Sequence, residues 1–388
     1  MIMATDNKDK ILNVPNLRFP EFTEEWKDSN IGKCFDLYSG NTPSRMEKEH
    51  FIGDVNWITS GELKEHYIGD TKERITEKAA AENNLRILPV GTFVMAIYGL
   101  EAEGVRGTCS ITVKTSTISQ ACMAFTPKSN VSNEFLYSWY KKHGNKIGIR
   151  YAQGTKQQNL SYDIIEKFPI RYPSIEEQEK LNTFISLLDE RIATQSKIIE
   201  KLESLIKGIY EKLFNISDAE YVPLSGIAKI KKGQQINCEE LLEQGAYYVM
   251  NGGIIPSGYL DGYNTSANTI SISEGGNSCG YVQYNSVPFW SGGHCYTLIE
   301  SKVSFNYKFL YHYLKYKEQS IMALRIGSGL PNIQKKDLGR FPILNICREE
   351  QNKSVYMLDN LSTKISIERK ILENYEEQKK YLLSNLFI

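Results

Sequence analysis

The 388-residue sequence lacks the features that announce most enzyme and membrane classes. It has no run of ~18 apolar residues, which excludes a membrane-spanning helix. Residues 1–14 are polar and carry no apolar signal core, so a cytoplasmic protein with a poorly ordered start is expected. The cysteines (Cys34, Cys109, Cys122, Cys238, Cys279, Cys295 and Cys347) are odd in number and form no C-x-x-C pair. Reduced thiols, several of them buried, are therefore expected, with neither a disulfide framework nor a zinc site. There is no G-x-x-x-x-G-K-[ST] phosphate loop, no G-x-G-x-x-G opening a helix, no H-E-x-x-H and no G-x-S-x-G elbow. His50, His66, His143, His294 and His312 show no metal-ligand spacing with cysteine. His294 beside Cys295 comes nearest to a reactive pair, but adjacent residues on a strand point to opposite faces. Nothing in the sequence argues for catalysis, and no bound metal or cofactor is expected.

Net charge is also missing. The chain has 46 Lys and Arg against 46 Asp and Glu, without the basic excess that marks many nucleic-acid binders. Divided, the balance shifts: residues 221–340 hold 11 basic and 8 acidic side chains, and residues 15–170 hold 19 of each. Otherwise the composition, 41% hydrophobic and 24% charged, is that of a soluble globular protein. Its length suggests two or three domains.

What is present is a repeat. Residues 173–214 and 346–387 align without a gap at an offset of 173. The match begins at Gly154-Thr155 against Gly327-Ser328 and passes Asn159-Leu160 against Asn332-Ile333. It continues through Phe168-Pro169-Ile170 against Phe341-Pro342-Ile343 and Glu176-Glu177-Gln178 against Glu349-Glu350-Gln351. In the first copy Leu181, Ile185, Leu188, Ile192, Ile199, Leu202 and Ile206 stand at alternating spacings of four and three, with Gln195 the one polar member. That is the seam of a coiled coil. Ser174 with Glu177 forms a capping box. The second copy keeps the seam at Leu358, Leu361, Ile365, Leu372, Tyr375, Leu382 and Leu386, while Ser354, Glu368 and Lys379 fill the other three places. Each copy predicts a helix of about 40 residues, roughly 60 Å long. Such a helix packs on its own domain, on a second chain, or on the other copy; the last arrangement, antiparallel within one chain, is the sharpest. Replacing Leu188 or Ile192 by Ala is then expected to cost roughly 2–5 kcal/mol.

The repeat also has a front. Residues 224–233 resemble residues 31–40 at an offset of 193. The middles, about 45–150 and 235–325, share little sequence, so the frame repeats while its contents differ. Strands are expected at residues 54–58, 91–98, 269–273 and 280–284. Short aromatic helices at 133–143 and 306–317 are expected to end each unit, with core packing the simplest role for their rings. The predicted fold class is α+β: two mixed α/β globular domains joined by two long helices that form an intramolecular antiparallel coiled coil. The divisions are 1–172, 173–214, 215–345 and 346–388.

Two unlike globular regions alternating with two like helices resemble the specificity subunit of type I restriction–modification enzymes. The repeated Gly-Thr/Ser, Asn-Leu/Ile, Phe-Pro-Ile and Glu-Glu-Gln block carries the resemblance, with Leu17-Arg18-Phe19-Pro20-Glu21-Phe22, Gly40-Asn41-Thr42-Pro43-Ser44 and Trp57-Ile58-Thr59-Ser60-Gly61-Glu62-Leu63. Cys347-Arg348, in place of Ser174-Ile175, departs from the pattern. The resemblance implies that each globular domain is a target recognition domain reading one half of a bipartite site in double-stranded DNA. It implies that the coiled coil sets the spacer and docks two modification subunits, with restriction subunits joining through the complex. It also implies no catalysis in this chain. S-adenosylmethionine, ATP and Mg would be used by the partners.

Candidate DNA contacts are short polar donors on loops and cations for phosphates. In the first domain they are Thr42, Ser44, Arg45, Thr59, Ser60, Lys64, Tyr98, Arg106, Lys156 and Gln157. In the second they are Lys231, Lys232, Gln234, Asn251, Tyr259, Asn277 and Lys335. Asn159 and Asn332 read as backbone-turning residues ahead of each helix. The competing reading is a scaffold whose two domains bind proteins, which zero net charge favours; a fragment of a single-chain restriction enzyme is opposed by the missing motifs.

Overall fold

The computed structural model describes residues 2–3, 13–102, 104–154, 156–217, 219–300, 305–327, 329 and 331–388. Most of the expected opening segment, and Thr155 and Ser328 of the repeat, lie outside the described residues. The chain divides into two compact units, residues 1–195 with 371–388, and residues 196–370.

In the first unit a five-stranded sheet runs in the order Phe35–Ser39, Cys122–Pro127, Phe93–Ala96, Cys109–Thr112, Tyr67–Ile68. Only the last pairing is parallel. A smaller sheet holds Val55–Ile58 between Ser116–Ile118, parallel to it, and Arg74–Ile75. The helix Asn133–Tyr151 covers the large sheet and buries Phe135, Leu136, Tyr137, Trp139 and Tyr140. It runs eight residues beyond the expected end at 143. Two glycines account for this: a Cβ on Gly144 would strike the Tyr140 ring, and one on Gly148 would strike the Arg106 side chain. Glycine here lets the helix continue under close neighbours despite its poor propensity.

The second unit repeats this plan on a sequence that does not resemble it. A four-stranded antiparallel sheet runs Ala228–Lys232, Cys295–Glu300, Thr269–Ser273, Val282–Asn285. Beside it Tyr247–Met250 sits between Tyr259–Leu260 and the parallel Trp290–Ser291. The helix Tyr307–Tyr316, capped by Asn306, buries Phe309, Leu310, Tyr313 and Leu314. Gly40 and Gly233 end equivalent edge strands, and at both a Cβ would lie about 2 Å from a carbonyl oxygen of the parallel-strand segment. That close approach requires glycine in either copy.

The two repeated segments are the helices Ile175–Phe214 and Arg348–Leu386. Inside the first unit they run antiparallel, with Asp189 bound to Lys379 at 2.5 Å and Arg191 over the Tyr375 ring. Inside the second unit the same direction is marked by Arg369 donating to Glu203 at 2.5 Å. Leu181, Ile185, Ile199, Leu358 and Ile365 are buried, and Leu188, Ile192, Leu202, Ile206, Leu361, Leu372 and Leu382 are half-buried. The polar seam positions Gln195, Ser354 and Glu368 are buried too. The fold is the expected intramolecular antiparallel coiled coil carrying two α+β units. The capping box at Ser174 is only half made. Glu177 donates its backbone N–H to Ser174 Oγ at 3.4 Å, but its carboxylate turns to Arg18 at 2.6 and 2.8 Å and to the Trp26 indole N–H at 3.3 Å. A charged bidentate partner outcompetes a backbone amide.

Candidate nucleic-acid interface

The repeated block builds the same junction in both units. Leu160 N donates to Ile97 O at 2.9 Å, and Ile333 N donates to Glu274 O at 2.8 Å. Asn159 bridges Gln153 and Tyr98, while Asn332 bridges Ile326 and Gly275. Ile97 and Glu274, and likewise Tyr98 and Gly275, are therefore structural counterparts. Thr59 and Asn251 each follow the central strand of a parallel pair, so they correspond as well.

In the second unit these ends enclose a hollow of about 640 Å³. Lys232, Asn251 and Asn277 meet there, with Glu274, His294 and the repeated Asn332, between Gly252-Gly253 and Gly275-Gly276. Lys232 donates to Glu274 Oε1 at 2.6 Å, and the Tyr296 hydroxyl donates to the same oxygen at 2.9 Å. Burial, with the Glu274 carboxylate second, pushes the Tyr296 phenol well up, so it acts as a donor. Glu274 Oε2 is buried without a hydrogen-bond partner, 3.9 Å from His294 Nδ1. Asn251 Oδ1 accepts from His294 N at 3.1 Å. Cys295, next to His294, is turned inward, and burial pushes its thiol up to about 11. The pair is thus separated as strand geometry requires.

The remaining candidates of this unit lie elsewhere. Gln234 and Tyr259 are tied into strand and loop pairings. Lys231 is exposed on the edge strand, and Lys335 lines a second hollow with Lys229, Lys336 and Arg340. Those last three, like Glu274 and His294, were not among the DNA contacts expected from the sequence. Their only signal was the basic balance of residues 221–340.

The first unit holds its candidates in several places. Arg45 is bound to Glu73 and lies over Phe51 and Trp57, with ring centroids at 4.6 and 5.3 Å. Its guanidinium keeps the Glu73 carboxyl below its ordinary range. Thr42 is half-buried and Ser44 exposed in the turn beside it. Thr59 closes a capping box with Glu62, Ser60 begins the following 3₁₀ turn, and Lys64 is exposed after it. Tyr98, Lys156 and Gln157 are exposed, and Arg106 donates to Gln158 at 2.8 Å. Among the described residues no group of three His, Cys, Asp or Glu is placed to share a metal ion, and no helix is long and apolar enough to cross a membrane.

A family model described as the type I restriction modification DNA specificity domain matches twice, over residues 23–204 and 216–377. The MjaIX specificity subunit of Methanocaldococcus jannaschii is 30% identical over 195 residues, 49% of this chain and 44% of that one. The chain thus aligns with less than half the length of that relative. The MjaVIII specificity subunit of the same organism is 23% identical across 100% of this chain and 97% of its own. The crystal structure of the S subunit from M. genitalium superposes with a TM-score of 0.68 at 21% identity, covering 97% of this chain and 99% of that one. A structure addressing complex assembly and conformational transition of the type I R-M system gives 0.58 at 15% identity, covering 93% and 97%. The duplicated junction is thus the duplicated domain itself, and the chain belongs to the family of type I restriction–modification DNA specificity proteins.

Proposed function

We propose that this chain is the non-catalytic DNA-reading subunit of a type I restriction–modification complex, each unit reading one half of a bipartite target. The observation that carries this reading is the second unit's hollow. It joins amide side chains suited to base edges with a cation suited to phosphate, between glycine pairs that admit close approach. The antiparallel helices, each about 40 residues without a break, would fix the spacer between half-sites and dock two modification subunits. Restriction subunits would join through that complex. Methyl transfer from S-adenosylmethionine and ATP- and Mg-dependent steps would belong to those partners, in the cytoplasm.

The test is methylation sequencing of DNA modified by the reconstituted complex. Two short specific blocks separated by a fixed unspecified spacer are expected. A single continuous target would overturn the division of labour. Absence of salt-sensitive binding to any duplex would favour the protein-binding scaffold instead.

A further inference from the structure

The second unit carries a basic hollow whose lining differs from the equivalent place in the first unit. It has a volume of about 800 Å³, and Ser225, Lys229, Lys335, Lys336 and Arg340 surround a floor of Ala228, Ile230 and Gly339. The four cations are exposed. Among the described residues none of them makes an ion pair, and Asp337, the one acid in the short helix Lys335–Gly339, makes none either. Four like charges without an acidic partner on one concavity raise the local positive potential, which draws an anion there.

The repeat offsets show what stands at these places in the first unit. Ser225 corresponds to Gly32, Lys229 to Asp36, Lys335 to Tyr162, Lys336 to Asp163, Gly339 to Glu166 and Arg340 to Lys167. There the Glu166 backbone and Cβ pack 3.0–3.5 Å from where a Gly32 Cβ would stand. Asp36 is held by Lys128 at 3.0 Å. An acidic side chain thus stands where the second unit has glycine, and of the four cations two are replaced by Asp36 and Asp163, one by Tyr162, and one is kept as Lys167.

We propose that this hollow binds the phosphate backbone of DNA, so that the second unit supplies most of the sequence-independent attachment of the subunit. The proposal rests on the DNA-reading role given above. Its position favours DNA over an acidic protein. Lys229 and Lys231 alternate on the exposed side of the edge strand Ala228–Lys232, which ends at Lys232 in the polar hollow. Three residues of strand span about 10 Å. That is about three nucleotide rises at ~3.4 Å per strand. A phosphate site and a base-reading site are therefore joined along one strand.

The experiment measures the dissociation constant of the fully assembled complex on target DNA across a salt series. Neutralising Lys229, Lys335, Lys336 and Arg340 to Ala is expected to reduce the slope of log Kd against log salt by up to about 3.6, near 0.9 for each phosphate no longer neutralised. Gly339→Glu, which imports the first unit's acid into a helix whose backbone accepts a Cβ there, is expected to reduce it by at least about 1. The bases methylated stay the same in both variants, and the three Lys→Arg replacements keep the slope. Matched thermal unfolding of variants and wild type separates misfolding from weakened phosphate binding. An unchanged slope in both variants overturns the proposal, as does a defect confined to assembly with modification subunits, the result an acidic protein partner would give. If the wild-type complex itself shows no salt-dependent DNA binding, the DNA-reading role fails first.

Discussion

Gln178 and Gln351 hold the same place in the two copies of the repeat and make the same bonds. Each is buried, and each accepts from the backbone N–H of the residue capping the aromatic helix: Ser132 at 2.9 Å and Asn306 at 2.7 Å. Each also donates to the carbonyl five residues earlier, that of Pro173 at 3.1 Å or Ile346 at 2.8 Å. Their neighbours Glu177 and Glu350 diverge. Glu177 is 2% exposed and paired with Arg18, whereas Glu350 is exposed. The glutamine locks a globular unit to its long helix through a backbone N–H that both units place at the start of the aromatic helix, so it depends on no side chain of the unlike middles. The glutamate needs Arg18 and Trp26, which belong to the opening segment of the first unit and have no counterpart at the start of the second. A shared residue is kept in a shared role only where its partners are duplicated with it.

That contrast is broken or sharpened most strongly at Glu177. Glu177→Ala leaves the Arg18 guanidinium, 13% exposed, without its partner, and should cost about 3 kcal/mol. Glu350→Ala should stay within about 0.5 kcal/mol. Urea unfolding of the two variants checks the difference, and equal losses would mean that the second copy has an anchor of its own.

Acid should also divide the units. Burial pushes His143 down to about 4, opposed by its hydrogen bond to the Ile388 oxygen. A histidine held neutral in the fold is protonated first in the unfolded chain, so its stabilisation is complete above pH ~6.5 and declines as pH falls toward 4. Discounting for partial exposure, the loss should reach about 2 kcal/mol. His312 is also lowered by burial, but Asp359 at 2.9 Å opposes the shift. His143→Leu should therefore flatten the acid slope of stability more than His312→Leu, as read from melting temperatures between pH 4 and 7.

Smaller effects lie along the helices. Leu188 and Ile192 are half-buried, unlike Leu181 and Ile185 at 1% exposure. Replacing either of the first pair by Ala should cost about 1–2 kcal/mol, at or below the lower end of the range expected from the seam pattern, and either of the second about 3. Gly208 has open space where a Cβ would go. Gly208→Ala should raise stability by about 0.5–1 kcal/mol, visible as a higher melting temperature.

The long helices, their pairing direction and the strands near 55, 93, 270 and 282 were legible because period and repeat are written in side chains. The likeness of the two middles was not. Ile97 and Glu274 share no chemistry, and neither do Tyr98 and Gly275; backbone hydrogen bonds to the repeated Asn-Leu/Ile pair make them equivalent. Among the residues lining the candidate hollow, Asn251 and Asn277 were legible because polar residues there flank glycines. Lining residues were not legible where a hollow depends on what is absent, as at Gly339, which carries no side chain into the basic hollow. Arg45 read as a free cation, because its partner Glu73 is 28 residues away in sequence.

The central claim is that each unit reads its own half of the target. Its most direct test is methylation sequencing after residues 235–325 are replaced by the corresponding middle of a relative with a different target. The prediction is one changed half-site, with the other half-site and the spacer unaltered. A change in both half-sites, or in the spacer alone, would contradict it.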